Sequence, residues 1–284
     1  MKSSRSLPRV IALFAVVCLS LPAFVGCGGK GKSAPLAAEE QFALAMGLYE
    51  RGKFFDSAEE FQKVIYNYPG GSSVDSAQYF LAMSYLQDKQ FELAAVEFER
   101  LVRNYPRSPF AVEARFRTAY SYFRAAPRHH GLDQTEVKRA VRLLNDFLID
   151  YPDSEYAPEA QQALYEANTR LAKKYFESAV VYTRIRAWRS AEIYFQYVID
   201  NYSNSNYTEE SLAGKTRALL KQRKWDEAAL SANSFLGLYP DSDFASDVRD
   251  MLKEIEHKRP EPQPAAAESP AADDSAAVSA ADGD

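Results

Sequence analysis

One dipeptide recurs along this chain and limits what the chain can fold into. Tyr-Pro occurs at Tyr68-Pro69, Tyr105-Pro106, Tyr151-Pro152 and Tyr239-Pro240, and Tyr202-Ser203 takes a fifth place, so successive copies lie 37, 46, 51 and 37 residues apart. Eleven residues before each tyrosine stands a small residue: Ser57, Ala94, Ala140, Ala191 or Ala228. Three residues earlier comes Phe54, Phe91, Val137, Trp188 or Trp225, and four residues after the small one comes Phe61, Phe98, Leu144, Phe195 or Ala232. A second series of small residues, Ala45, Ala82, Ala119 and Ala179, keeps its own phase with the first. A repeat of roughly 20 to 50 residues marks a stacked array, because each unit is too small to bury its apolar face alone and must lean on its neighbours.

These offsets resemble the tetratricopeptide repeat, in which two helices meet at small residues and the second ends at a proline. The implied fold is all-α, a right-handed α-solenoid of five tetratricopeptide-like helix pairs. Proline cannot continue a helix, and Ser108, Ser154, Ser205 and Ser242 are placed to cap the next one, with Phe110, Tyr156, Tyr207 and Phe244 two residues later to staple it. The two long spacings localise to insertions. Nine extra residues fall in the turn of repeat three, around Pro127 to Gln134. Fourteen fall in Glu159 to Tyr175, which lacks Gly and Pro; fourteen residues make about four turns, so a single long helix joins two halves with its apolar face in register.

The N-terminus carries its own signal. Lys2, Arg5 and Arg9 precede an apolar run from Val10 to Leu21, too short to span a bilayer but of signal-peptide length. Residues 22–27 follow as Pro-Ala-Phe-Val-Gly-Cys, which resembles a bacterial lipobox with Phe24 where leucine is usual. Cys27 is then the lipidated residue; Cys18, the only other cysteine, lies in the removed segment, so no disulfide is possible in the mature chain. Each buried methylene contributes about 0.8 kcal/mol, so the three acyl chains of a bacterial lipoprotein hold stably where one would not. Gly28, in place of the Asp that retains lipoproteins in the inner membrane, favours the outer membrane. The expected organisation is a signal peptide over 1–26, lipidated Cys27 and a tether over 27–37, the solenoid over 38–258 divided at 152/153, and an acidic tail over 259–284. From Glu261 onward the tail has six acidic residues and no basic one, a composition that cannot bury enough apolar surface to order itself.

Lipobox, five repeats and extended middle helix together resemble the BamD family, lipoproteins of the outer-membrane β-barrel assembly machinery. The resemblance runs from Cys27 to Lys258, and its most specific stretch is Tyr182-Thr183-Arg184-Ile185-Arg186-Ala187-Trp188. It implies an outer-membrane lipoprotein facing the periplasm. Its implied partners are a BamA-like barrel subunit, other lipoproteins of the machine and unfolded outer-membrane proteins. The implied partner interface includes Arg184, Arg186 and Tyr194, the last standing where the family commonly has an arginine.

The residues point to binding rather than chemistry. The net charge of −5 gives no basic footprint for nucleic acid. His129-His130 has no third ligand nearby in sequence, no phosphate loop or nucleophile elbow occurs, and no metal or cofactor beyond the lipid on Cys27 is expected. The inward positions of the first helices offer a groove rich in aromatic and Met side chains: Phe42, Met46 and Tyr49, then Tyr79 and Met83, then Phe116, Tyr120 and Phe123. Such a groove suits an extended apolar segment. A separate set, Leu44, Ala45, Leu48, Leu81, Ala82, Tyr85, Ala119 and Tyr122, is expected to fill the core. A scaffold for cell-wall or type IV pilus assembly would share this anchor and fold while serving another partner.

Overall fold

The structure, a computed structural model, describes residues 36–259. Cys27, the signal segment, the tether up to Pro35 and residues 260–284 lie outside the described residues. Eleven helices run through the described part: α1 (Ala38–Glu50), α2 (Phe54–Asn67), α3 (Val74–Gln87), α4 (Phe91–Asn104), α5 (Ala111–Ala125), α6 (Thr135–Asp150), α7 (Ala157–Arg184), α8 (Trp188–Asn201), α9 (Thr208–Lys221), α10 (Trp225–Leu238) and α11 (Ala245–Lys258). Each packs on the next, and α1 also touches α3, α5 touches α7 and α9 touches α11. This is an all-α solenoid of helix pairs, in which the odd-numbered, first helices adjoin one another. α11 begins 37 residues after α9 and is the last helix among the described residues; it lays Ala245, Val248, Met251 and Ile255 against Leu219, Ala232 and Phe235.

The repeated residues sit where their spacing implies. Ala45, Ala82, Ala119 and Ala179 of the first helices and Ser57, Ala94, Ala140, Ala191 and Ala228 of the second are all fully buried, which lets paired backbones approach closely. One turn on, Phe61, Phe98 and Leu144 are also fully buried; each contributes about 1.5–3 kcal/mol. In the last pair the first-helix small position holds Thr216, whose hydroxyl reaches Leu212 O at 2.9 Å and Ser231 at 2.8 Å, so a polar residue is tolerated because it is satisfied. Leu44, expected in the core, is instead 41% exposed, since it lies one residue off the buried line through Gln41 and Ala45.

Two local devices set the connections. Within four of the five pairs, the first helix is followed by a left-handed residue, Gly52 (φ 72), Lys89 (φ 62), Arg186 (φ 60) or Arg223 (φ 63), while α5 runs into the inserted turn through extended Ala126. The next amide then reaches back five residues, as in Lys53 N–H to Leu48 O at 3.0 Å and Ala187 N–H to Tyr182 O at 2.9 Å, which is the Schellman closure. Between pairs, the serines do not cap the next helix. Ser108, Ser154, Ser205 and Ser242 each accept the amide of the aromatic residue two positions on, at 3.0 to 3.4 Å, and that aromatic is itself the residue preceding the helix. A serine so placed folds the turn one step too early to reach the first helical amides.

α7 is 28 residues long where α3 and α9 have 14, and three core clusters lie along it. Ala160 and Ala163 pack with Phe116, Leu144 and Phe147; Ala167 and Leu171 with Phe123, Val137 and Ala140; Ala172, Phe176 and Ala179 with Ala191 and Phe195. Its first half thus receives α6 and its second half α8. The inserted turn, residues 126–134, is closed by buried Gln134, whose amide donates to Pro127 O and His129 O at 3.2 and 3.1 Å.

Candidate protein-binding surface

Three rows of residues on the first helices, counted from the small residue of each, define the candidate surface. The row three residues before it is Phe42, Tyr79, Phe116, Phe176 and Ala213; the row one after is Met46, Met83, Tyr120, Val180 and Arg217; the row four after is Tyr49, Leu86, Phe123, Thr183 and Leu220.

The first row is mostly core. Phe116 is fully buried and Tyr79 and Phe176 nearly so, because the aromatic residue of the following turn covers each of them. Phe110 stacks on Tyr79 with ring centroids 4.3 Å apart, Tyr156 on Phe116 at 6.0 Å, and Tyr207 lies against Phe176 at 5.2 Å. Tyr79 and Phe116 therefore hold repeats together and do not line an open groove. Phe42 escapes, since the matching turn position is Ser73; it stays half-buried, 5.5 Å from Phe61 and 6.4 Å from Phe80. Phe123, in the third row, is also core, sealed by the Arg170 guanidinium 4.3 Å above its ring.

The accessible row is the middle one. Met46, Met83, Tyr120 and Val180 are half-buried and Arg217 is exposed. In repeats one and two this row borders Phe42, Tyr49 and Phe80, and Phe80 touches five other rings, those of Phe42, Tyr49, Phe61, Tyr79 and Phe110. Phe80 has no place in the repeat pattern, and its signal in the sequence is only that it follows Tyr79.

A charged network ties the middle repeats together beside this row. One Glu113 oxygen accepts the hydroxyls of Tyr79 at 2.7 Å and Tyr156 at 3.0 Å, and the other accepts Arg117 Nε at 3.1 Å; Arg117 in turn reaches Glu159 of α7 at 3.0 Å. Burial and the Glu113 carboxylate push the Tyr156 hydroxyl up to about 12, and the same causes raise Tyr79 further. Tyr49 on α1 is raised by burial and by the charge of Glu113, so the network's field extends to the first repeat.

In the last two pairs the surface deepens into a cleft of about 220 Å³ between α7 and α9. Phe176, Val180 and Trp188 form its apolar wall, and Arg184, Glu210 and Arg217 its charged rim. Burial and the neighbouring Glu177 hold the Glu210 carboxyl above its usual range. Gly214 forms the floor, where an added Cβ would stand 2.5 Å from the Phe195 ring. Of the three expected interface residues, Arg184 lines this cleft. Arg186 takes the left-handed turn position and is exposed, while Tyr194 is half-buried, stacked on Tyr182 at 5.2 Å in a group with Tyr175, Tyr197 and Tyr202. Val180, Glu210 and Arg217 were not among the sequence candidates, although the spacing that selects Met46, Met83 and Tyr120 selects Val180 and Arg217 as well.

Among the described residues no group of three or more His, Cys, Asp or Glu side chains could hold a metal, and no helix is long and apolar enough to cross a membrane. His129 and His130 stack on each other at 4.7 Å in the inserted turn.

Helix pairs, small residues at their crossings and a row of side chains on the first helices define the class: a tetratricopeptide-type repeat protein. The chain belongs to the YfiO family of outer membrane lipoproteins, the BamD family domain, whose model matches residues 36–229. No curated protein matches it significantly. Among solved structures it is similar to a thermophilic TPR protein of Thermus thermophilus, at 19% identity over 78% of this chain and 100% of that one, with a TM-score of 0.31. It is similar also to the TPR2AB domain of yeast Sti1, solved as a complex with pHSP90, at 10% identity over 77% and 98% of the two chains and a TM-score of 0.35. A tetratricopeptide repeat protein of Parabacteroides merdae aligns at 13% identity over 78% and 74%, with a TM-score of 0.34.

Proposed function

We propose that this chain is a lipid-anchored, periplasm-facing subunit of the outer-membrane β-barrel assembly machinery, binding unfolded barrel proteins and the barrel-forming subunit. The observation that carries the reading is its membership of the outer membrane lipoprotein family over residues 36–229, on a scaffold whose accessible features are a binding row and a cleft. Cys27 supplies the anchor through its acyl chains. Met46, Met83 and Tyr120, with Phe42 and Tyr49, offer half-exposed apolar side chains to an extended segment, and Met adapts to varied partners without a fixed shape. The α7–α9 cleft, with Arg184 and Arg217 at its rim, is a site of different character and takes the barrel subunit.

Mild detergent extraction followed by co-purification tests this reading. The expected result is recovery of an outer-membrane barrel protein with periplasmic domains; recovery of cell-wall or pilus components in its place would favour the other scaffold role. Cys27→Ala is expected to leave the helical fold intact and to release the chain from membranes lacking the partner. A variant that still sediments with those membranes would overturn the anchor assignment.

A further inference from the structure

The chain carries a net charge of −5, yet one region reverses it. Arg124 at the end of α5, Arg128 in the inserted turn, and Arg170, Lys173 and Lys174 in the middle of α7 make no ion pair with any carboxylate among the described residues. The hydrogen bonds and ring contacts of Arg124, Arg170 and Lys174 go to neutral groups. Arg124 donates to Tyr120 Oη at 2.6 Å and lies 4.8 Å from the Phe91 ring, Lys174 donates to Leu132 O at 3.1 Å, and Arg170 rests on Phe123. Arg170 Nη1 is buried without a hydrogen-bond partner. Arg170 is made less basic by burial first, and Arg128 and Arg124 add to that effect against the opposing charge of Glu166. His130 is lowered by burial and then by Lys173, with Glu177 and Lys174 acting in opposite senses. Asp133, Glu166 and Glu177 are the carboxylates that face the cluster, three against its five cations, so positive charge stays in excess.

An unpaired, partly desolvated group of cations calls for an anion of several charges. The same chain contains one. Residues 261–284 carry Glu261, Glu268, Asp273, Asp274, Asp282 and Asp284 with no Lys, Arg or aromatic residue. That segment follows Arg259, just past α11, and its sequence is rich in Ala, Pro and Ser. Twenty-four residues can reach at most about 80 Å when fully extended. Helices pack at about 8–10 Å centre to centre, so a segment of this length is long enough to return past several of them. An intramolecular site within such reach sees an effective concentration near the millimolar range, so weak contacts suffice.

We propose that the basic cluster of Arg124, Arg128, Arg170, Lys173 and Lys174 is a docking site for the chain's own acidic segment, residues 261–284.

The test is zero-length carbodiimide crosslinking of the full mature chain in detergent, at low concentration and low salt, read by mass spectrometry, with mixed light and heavy isotope chains to separate intrachain from interchain products. The expected result is intrachain linkage of Lys173 or Lys174 to acids within 261–284, falling about fivefold or more in high salt, since screening at 1 M confines electrostatics to ~3 Å. Arg124→Gln with Arg128→Gln, both at exposed positions, should lower the same products to a similar degree. The short Glu254–Lys258 and Glu60–Lys63 links serve as internal controls and should persist in that variant. Three outcomes overturn the proposal: tail acids linked evenly to Lys63, Lys215 and Lys253, tail links found only between chains, or binding of the cluster to anionic vesicles with the same affinity whether or not residues 260–284 are present. The last would assign the cluster to lipid headgroups. None of these outcomes depends on which barrel protein, if any, the chain assembles with.

Discussion

Gly214 shows how little freedom single residues have where two first helices meet a second. A methyl there would press on three atoms of the Phe195 ring at 2.5 to 2.8 Å, and that ring is itself 4% exposed and cannot swing away. Gly214→Ala is expected to lower stability by about 1–3 kcal/mol despite the gain in helix propensity, read by chemical denaturation with an unchanged m-value. The hydroxyl network at Glu113 makes a second residue-scale prediction. Tyr156 is raised in the folded state to about 12 from a usual value near 10, so the stability it contributes is fully present below pH 10 and is lost as pH climbs through 12. Tyr156→Phe should therefore be less stable than the parent at pH 8, with the gap closing between pH 10 and 12. A constant gap across that range would assign the hydroxyl no part in the network. Burial and the nearby Glu99 also push Tyr122 up to about 12, so the parent's decline above pH 10 reflects more than one tyrosine.

At the scale of elements, α7 explains both what the sequence made legible and what it hid. Its length could be read because the insertion of fourteen residues contains no helix breaker, and the buried small residues 160, 163, 167, 172 and 179 keep one face turned inward. The pairing of helices was equally legible, since a small residue must recur wherever two backbones approach. Three of the expected groove residues, Tyr79, Phe116 and Phe123, are buried for a reason that periodicity cannot supply. Tyr79 and Phe116 sit at positions that line a surface within one repeat, but Phe110 and Tyr156, 31 and 40 residues further on, fold back over them. That is a contact between repeats: the recurring aromatic two residues after each turn serine marked a staple at the junction, but not that it would cover Tyr79 and Phe116. The same gap hid the role of Arg170, which seals Phe123 only because α7 is long enough to bring it there. Asn168→Pro, which breaks α7 between its two docking halves, is expected to cost about 3 kcal/mol or more and to split a single denaturation transition into two. Retention of one sharp transition would mean that the halves are coupled by routes other than α7. α11 makes a matching case among the described residues: deletion from Phe244 onward uncovers Leu219, Ala232 and Phe235 and should promote self-association, whereas deletion from Pro260 onward leaves those residues covered and should not.

Across the described residues, the first-helix rows carry two surfaces of distinct chemistry on one stack of helices, apolar and Met-containing at Met46, Met83 and Tyr120, and charged at the cleft rim of Arg184, Glu210 and Arg217. Repeats contact only their neighbours, so each surface can be altered without unfolding the other. The most direct test places a photo-activatable crosslinker, one site at a time, at Met83, Val180 and Tyr66 of the full lipid-anchored chain in intact cells; Tyr66, 86% exposed on the second helix α2, is the control. The account predicts adducts with unfolded outer-membrane barrel chains from Met83, adducts with a folded barrel subunit from Val180, and neither from Tyr66. Equal adducts from all three sites, or adducts that contain no barrel protein, would contradict it.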